Sequence, residues 1–204
     1  MPDSGKSCVI PIAHMIPRIP SFAACRDECL YGGGGFSVEM KFWWHLAWPE
    51  EVRRHTKMFL PDNKSGKMIS INVLKYATII FNYAVALTVL DYNGFGDDIH
   101  PFLLNWEENT SAVRWTDHAC KKSLVGKALG RHFCTLLIDS PLGVKAKWLS
   151  MSMNVIADDI SRFKKDSPDY NFDYHSLQPK YPQLRDCRLF QPSVELLSII
   201  LGVM

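Results

Sequence analysis

Acidic side chains stand at three points of the sequence where one predicted element ends and another begins. Asp27 lies near the end of the first predicted strand, Glu107 and Glu108 close a buried strand, and Asp158 and Asp159 lie in the first turn of a short helix. Carboxylates at such points can converge, and two Mg²⁺ ions about 4 Å apart can hold the attacking and leaving oxygens of a phosphodiester. Each acid also has a structural interpretation, as a turn residue or as a charge that complements a helix dipole.

The hydrophobic pattern predicts the elements that must position these acids. It indicates strands over residues 23–30, 36–40 and 68–71, with a turn over Tyr31–Gly35 that contains the glycine run Gly32–Gly35. A buried helix over 73–90, a strand over 101–106, helices over 110–119 and 124–138, a strand over 144–151 and a helix capped by Asn154 follow. This order predicts an α/β domain with a mixed five-stranded sheet, an antiparallel hairpin plus parallel strands, flanked by helices.

The aromatic cluster Trp43, Trp44 and Trp48 follows the predicted hairpin. Exposed tryptophans could stack on nucleic-acid bases. We favour the alternative that they form an apolar cap over the sheet.

Composition excludes several classes of protein. Apolar residues make up 47% of the 204 residues and charged residues 22%, which excludes a disordered chain, a collagen-like fibre and a coiled coil. The net charge of +2 excludes a histone-type wrapping protein but neither predicts nor forbids nucleic-acid binding. The six cysteines include no CxxC pair, so a structural zinc site has little support. The chain begins with polar residues, and its longest apolar run, 76–90, is too short to cross a bilayer. These two features predict an intracellular protein, cytoplasmic or nuclear, without a membrane partner.

Four motifs resemble ribonuclease H domains of retroelement polyproteins, over about residues 12–162. Asn154-Val-Ile-Ala-Asp-Asp-Ile-Ser-Arg162 resembles the family's closing signature, in which Asp158 matches the last catalytic aspartate. The run that ends in Glu108 resembles a strand that normally ends in aspartate, and Asp27 before the glycine run takes the place of the first catalytic aspartate. Residues 69–76 resemble the start of helix A. Among these domains the chain looks most similar to those of tyrosine-recombinase-type retrotransposons.

The resemblance implies a two-metal hydrolase that cleaves RNA in RNA–DNA hybrids, with Asp27, Glu108 and Asp158 as catalytic residues and ligands of Mg²⁺ or Mn²⁺. Two of the four expected acids differ, because Lys75 stands where helix A supplies glutamate and Glu108 replaces aspartate. An ammonium group in a site that holds cations repels a divalent metal, unless it swings outward. Alternatively, Lys75 can form an ion pair with Asp27 or Glu108 and hold the carboxylates together without a metal. We therefore expect cleavage to be weakened or lost, although the sequence leaves enzymatic activity open.

Basic residues after Glu108 are candidates for substrate binding. They are Lys121, Lys122, Lys127 and Arg131, of which Lys127 and Arg131 are one helical turn apart. Such a stripe could follow the phosphate backbone of an RNA–DNA hybrid, or could be a solvated surface that keeps the chain soluble. The resemblance also suggests an upstream reverse transcriptase domain as a partner.

The predicted organisation has three parts. Residues 1–21 form an extended arm, 22–165 the ribonuclease H-like domain, and 166–204 a linker with a short apolar end. Two alternatives to an active hydrolase remain: a non-catalytic nucleic-acid-binding module, and a decayed retrotransposon fragment without selected activity.

Overall fold

The computed structural model describes residues 18–57, 69–93, 101–118, 120, 123–138, 140–162 and 174–204. The strands are β1 (Phe22–Glu28), β2 (Gly32–Ser37), β3 (Phe42–Ala47), β4 (Phe102–Glu107), β5 (Gly143–Trp148) and β6 (Arg188–Leu189). The helices are α1 (Glu50–Lys57), α2 (Ile71–Asn93), α3 (Thr110–Asp117), α4 (Leu124–Ile138), α5 (Val155–Ser161), α6 (Tyr174–Lys180) and α7 (Val194–Val203).

The strands form one mixed sheet in the order β5-β4-β1-β2-β3-β6. Strands β1, β2 and β3 pair antiparallel, whereas β1 with β4, β4 with β5 and β3 with β6 pair parallel. The predicted α/β class and mixed sheet are confirmed. The predicted count of five strands is wrong. Neither β3 nor β6 was predicted as a strand, and Arg188 and Leu189, from the segment that we assigned to a linker, pair with Phe42 and Trp43 of β3.

The glycine run is a strand, not the predicted turn. Gly33–Gly35 pairs with β1 on one side, and Gly32–Gly35 pairs with β3 on the other. A Cβ atom at Gly33 would lie 2.6 Å from Thr78 Cγ2, and one at Gly35 would lie 2.6 Å from Asn82 Oδ1. The glycines therefore let α2 approach the middle of the sheet more closely than side chains would allow.

The tryptophan cluster is neither a cap nor a stacking surface. Trp43 and Trp44 lie in β3, Trp48 directly follows it, and all three are buried. Trp44 faces α2, where its Nε1 donates to Asn82 Oδ1 at 2.7 Å. Trp43 packs on the opposite side of the sheet with Ile160 and Leu177.

Helix α2 lies in the centre of the domain. The predicted strand over 68–71 is wrong in its described part, because the Ser70 carbonyl accepts from Val73 N at 2.9 Å and Ile71 begins the helix. Met68 lies outside the described residues. The expectation that the apolar run is too short to cross a bilayer is wrong for the whole helix: by length and composition α2 could cross a membrane, but 83% of its most apolar window is buried inside the protein.

Helices cover both faces of the sheet. Helix α2 packs on one face, where the larger apolar core lies, and α3 and α4 pack against α2. Helix α5 crosses the other face over β1, β2 and β3, together with apolar side chains from residues 177–187. The apolar end contributes α7, which packs on α4 and buries Ile200. Most of the predicted arm, residues 1–17, lies outside the described residues.

Candidate functional site

Three carboxylates surround the amino group of Lys75. Lys75 Nζ lies 2.8 Å from Glu28 Oε1, 2.8 Å from Glu108 Oε1 and 3.4 Å from Asp27 Oδ1. We call these four residues the Lys75 centre. The alternation of side chains along a strand predicts that Glu28, next to Asp27, faces away, but Glu28 is the closer of the two to Lys75.

The sheet and helix α2 bring these residues to one point. Asp27 and Glu28 end β1, and Glu108 directly follows the parallel neighbour β4, so their carboxylates meet at the same edge. Lys75 is the fifth residue of α2, and its side chain reaches these strand ends from the face of the sheet on which α2 packs. Because Lys75 has a long side chain and the strand ends here, one amino group reaches both neighbours, Asp27 and Glu28.

A second buried cation lies beside the Lys75 centre. Arg26 is fully buried, and its guanidinium pairs with Glu107 and lies 3.4 Å from Glu28 Oε2. Arg26 also donates to the hydroxyl of Thr78 on α2. Sequence reasoning missed this residue, although an arginine preceded by Ala23-Ala-Cys25 in a central strand is a signal of a buried ion pair.

Burial and charge pairing shift the protonation equilibria of the centre. Burial raises the pKa of Glu28 to about 8 and that of Asp27 to about 6, although Lys75 opposes both shifts. Burial lowers the pKa of Lys75, but Glu28 and Asp27 overcome this effect and hold it above its ordinary value. Lys75 is therefore the stable positive charge of the centre at neutral pH, and a carboxylate takes up the exchangeable proton.

Asp158 reaches the same place from α5. A hydrogen bond with Asp158 contributes to the raised pKa of Asp27. Ser161 Oγ, one turn further along α5, lies 3.3 Å from Asp27 Oδ2. The structure thus brings together the four positions that the resemblance singles out. The Asp158 carboxylate accepts from Arg162 Nε at 2.8 Å, so it already has its own cation.

These residues do not fit a divalent cation held between Asp27 and Glu108. Mg²⁺ needs carboxylate oxygens at about 2.1 Å in near-octahedral geometry. The Lys75 amino group instead lies within hydrogen-bonding distance of both carboxylates, where the metal would need to lie. Within the described ranges, no group of three or more His, Cys, Asp or Glu side chains is arranged to hold a metal ion.

The predicted basic residues are only partly covered by the structure. Lys127 and Arg131 lie on α4 as predicted, one turn apart and exposed. Lys121 and Lys122 lie outside the described residues. The predicted stripe therefore has two described members on the helix layer that packs against α2.

No family model, curated protein or solved structure matches this chain.

Proposed function

We propose that the chain is a ribonuclease H-like domain of retrotransposon origin that binds RNA–DNA hybrids without metal-dependent cleavage. One observation carries the proposal. The four positions that resemble a two-metal site converge, and an internal ammonium group, that of Lys75, lies between Asp27 and Glu108.

The fold supports the ancestry in this proposal. The sheet combines an antiparallel hairpin with parallel strands, as the resemblance implies. The four motifs fall on β1 with β2, on the start of α2, on the end of β4 and on α5. Unrelated motifs would have no reason to meet in space, so their convergence favours a common origin with ribonuclease H domains.

Electrostatics support the loss of cleavage. Two unit charges 4 Å apart interact by about 4 kcal/mol at an effective dielectric constant near 20, and a divalent ion doubles the repulsion from Lys75. Glu28 and Glu108 hold the amino group at 2.8 Å each, so swinging Lys75 outward would take their nearest cation away from the buried Glu28 and Asp27. The extra methylene of Glu108 and the pairing of Asp158 with Arg162 weaken the remaining ligand set further.

Binding of a hybrid does not need the metal. Phosphate contacts depend on exposed lysine and arginine side chains, and Lys127 and Arg131 are exposed on α4. Hybrid binding without cleavage is therefore the activity that this arrangement can retain.

A cleavage and binding assay on three proteins tests the proposal. The wild type should bind a labelled blunt-ended RNA–DNA hybrid in a salt-dependent manner and leave it intact in Mg²⁺ or Mn²⁺. Lys75→Glu restores the carboxylate that the family carries, so we expect this variant to gain Mn²⁺-dependent cleavage. Lys75→Met is the matched control, because it removes the charge without adding a ligand, and it should not cleave.

Two results would overturn the proposal in different ways. Efficient cleavage by the wild type would show that Lys75 does not block the metal. Absence of hybrid binding by the wild type, even at low ionic strength, would leave the domain without its proposed ligand.

A further inference from the structure

Two lysines of strand β5 differ from the other cations around the site. Lys75 pairs with the carboxylates of the Lys75 centre, and Arg162 pairs with Asp158. Lys145 and Lys147 are both exposed, and neither forms an ion pair with another residue in the described part of the chain. Their charges are therefore free to contact a ligand.

The register of the sheet places both lysines on the face that carries Asp27. Cys25 of β1 lies beside Trp106 of β4, and Trp106 lies beside Lys147 of β5. Residues paired in this way point to the same side of the sheet, and residues two apart along a strand share a face. Asp27, two residues after Cys25, therefore shares its face with both lysines. Helix α5, which carries Asp158, packs on this face over β1, β2 and β3.

The residue between the two lysines supports this assignment. Ala146 is buried in the larger apolar core, on the face where α2 packs. Its neighbour in register, Asn105, accepts a hydrogen bond from Asn82 Nδ2 of α2 at 3.1 Å. Because side chains alternate along a strand, Lys145 and Lys147 point away from α2.

Strand β5 leads from the lysines to the Lys75 centre. Lys145 and Lys147 are about 6.6 Å apart along the strand. Beyond them, Leu149 N donates to the Glu107 carbonyl at 2.9 Å, so β5 stays paired up to the edge where the carboxylates meet. Two strand spacings and two residues separate Asp27 from Lys147, which puts their Cα atoms about 12 Å apart.

We propose that Lys145 and Lys147 contact backbone phosphates of the RNA–DNA hybrid where one of its strands passes the Lys75 centre. Strand β5 carries no acidic residue and lies at an edge of the sheet, so a polyanion can approach the lysines from the side. The inference rests on the proposed function. It adds a second phosphate-binding surface for the same hybrid, on the opposite face of the sheet from Lys127 and Arg131.

The salt dependence of hybrid binding tests the inference. Lys145→Gln with Lys147→Gln should reduce the slope of log affinity against log salt concentration for the blunt-ended hybrid by about 1.8, because each phosphate contact on a duplex contributes about 0.9. Lys145→Arg with Lys147→Arg keeps both charges and should keep the wild-type slope. The control is Arg185→Gln with Arg188→Gln, two exposed cations near the opposite edge strand β6, which should not change the slope.

A second pair of substitutions separates the two basic surfaces. Lys127→Gln with Arg131→Gln removes the exposed cations of α4 and should lower the slope independently of the β5 lysines. The variant with all four substitutions should therefore show the sum of the two reductions, because the sites share no partner.

The inference is overturned if the wild type binds the hybrid and the Gln variant of the β5 lysines keeps the wild-type slope. It is also overturned if the Arg185 and Arg188 control lowers the slope as much, or if the fourfold variant shows no larger reduction than the α4 pair alone. If the wild type binds no hybrid at any ionic strength, the proposed function fails and the inference fails with it.

Discussion

The Lys75 centre and helix α5 both pair carboxylates with cations from the chain itself, but in different surroundings. Lys75 is 8% exposed and its carboxylate partners Asp27 and Glu28 are buried. On α5, Arg162 pairs with Asp158, and Lys180 with Asp159, through side chains that are about half exposed or more on the cationic side. The same kind of carboxylate–cation pair therefore occurs once in the buried interior and once at the surface, in contact with water.

This difference decides what each pair can do. Removing one partner of a buried ion pair costs about 3–5 kcal/mol, because the other charge remains buried and alone. Exposed pairs contribute about 0–1 kcal/mol, since water and salt screen them. The buried centre should therefore control the stability of the fold, whereas the exposed pairs on α5 should contribute little to stability.

The largest effect is expected for Lys75→Met. The variant leaves Asp27, Glu28 and Glu108 without their shared cation, so the free energy of unfolding should fall by about 3–5 kcal/mol. Urea denaturation measures the change. Lys127→Met, an exposed lysine on α4, is the control and should change stability by less than about 0.5 kcal/mol. Equal effects of the two substitutions would contradict the buried ion network.

His45 should give the next largest effect and tests the anchoring of α5. Its ring Nδ1 lies 2.7 Å from the Ile160 carbonyl at the end of α5, and burial lowers its pKa from 6.5 to about 4. A histidine whose pKa is lower in the folded state than in the unfolded chain contributes its full stability when the pH is above the unfolded pKa of 6.5. This contribution is lost as the pH falls from 6.5 towards 4.

We therefore expect the His45 contribution to fall by about 2 kcal/mol between pH 7 and pH 5, at about 1.4 kcal/mol per pH unit below 6.5. His45→Gln removes the titration, so the wild type should lose more stability than the variant over this range. Chemical denaturation at the two pH values measures the difference. Parallel losses in both proteins would show that His45 does not control this dependence.

Gly34→Ala tests how closely α5 approaches the sheet. A Cβ atom at Gly34 would overlap Ile160 Cγ2 and lie 3.0 Å from the Trp44 carbonyl oxygen. Overpacking of this kind costs about 1–3 kcal/mol. Thermal unfolding measures the loss, and Gly202→Ala, where nothing lies within 4 Å of the new Cβ, is the control. An unchanged melting temperature for Gly34→Ala would contradict the close packing.

The smallest effect is expected for the exposed ion pair of Lys180 with Asp159. Lys180→Gln removes the ion pair with Asp159, and we expect a loss of at most about 1 kcal/mol. The loss should shrink further in high salt, because exposed charges are screened. Denaturation at low and high salt measures it. A loss as large as that of Lys75→Met would remove the distinction between the two regions.

The sequence predicts most of the helices and parallel strands but not the glycine strand. Helix α4 has the predicted bounds because its hydrophobic periodicity is strong. The helix after Asn154 is found as expected, but Asn154 does not cap it with its side chain, whose Nδ2 donates to the Arg26 carbonyl instead. A run of four glycines is typical of a turn. The local sequence does not indicate that a helix distant in the chain packs closely against these residues. The glycines make room for two helices that are distant in the sequence: Gly33 and Gly35 face α2, and Gly34 faces α5.

The sequence predicts four residues of the site but not all the residues that form it. The motif resemblance selects Asp27, Lys75, Glu108 and Asp158, and the structure brings all four together. The alternation of side chains along β1 predicts that Glu28 faces away, and the resemblance does not select Arg26. Their roles depend on side-chain length and on the meeting of strand ends with α2, which are properties of the assembled fold.

The most direct test of the central claim is Mn²⁺ binding followed by NMR. If the Lys75 ammonium occupies the place of a metal, Mn²⁺ should leave the amide signals of Asp27 and Glu108 unbroadened in the wild type. The same titration should broaden both signals in Lys75→Glu, where the carboxylate replaces the cation. Selective broadening of these signals in the wild type would contradict the account.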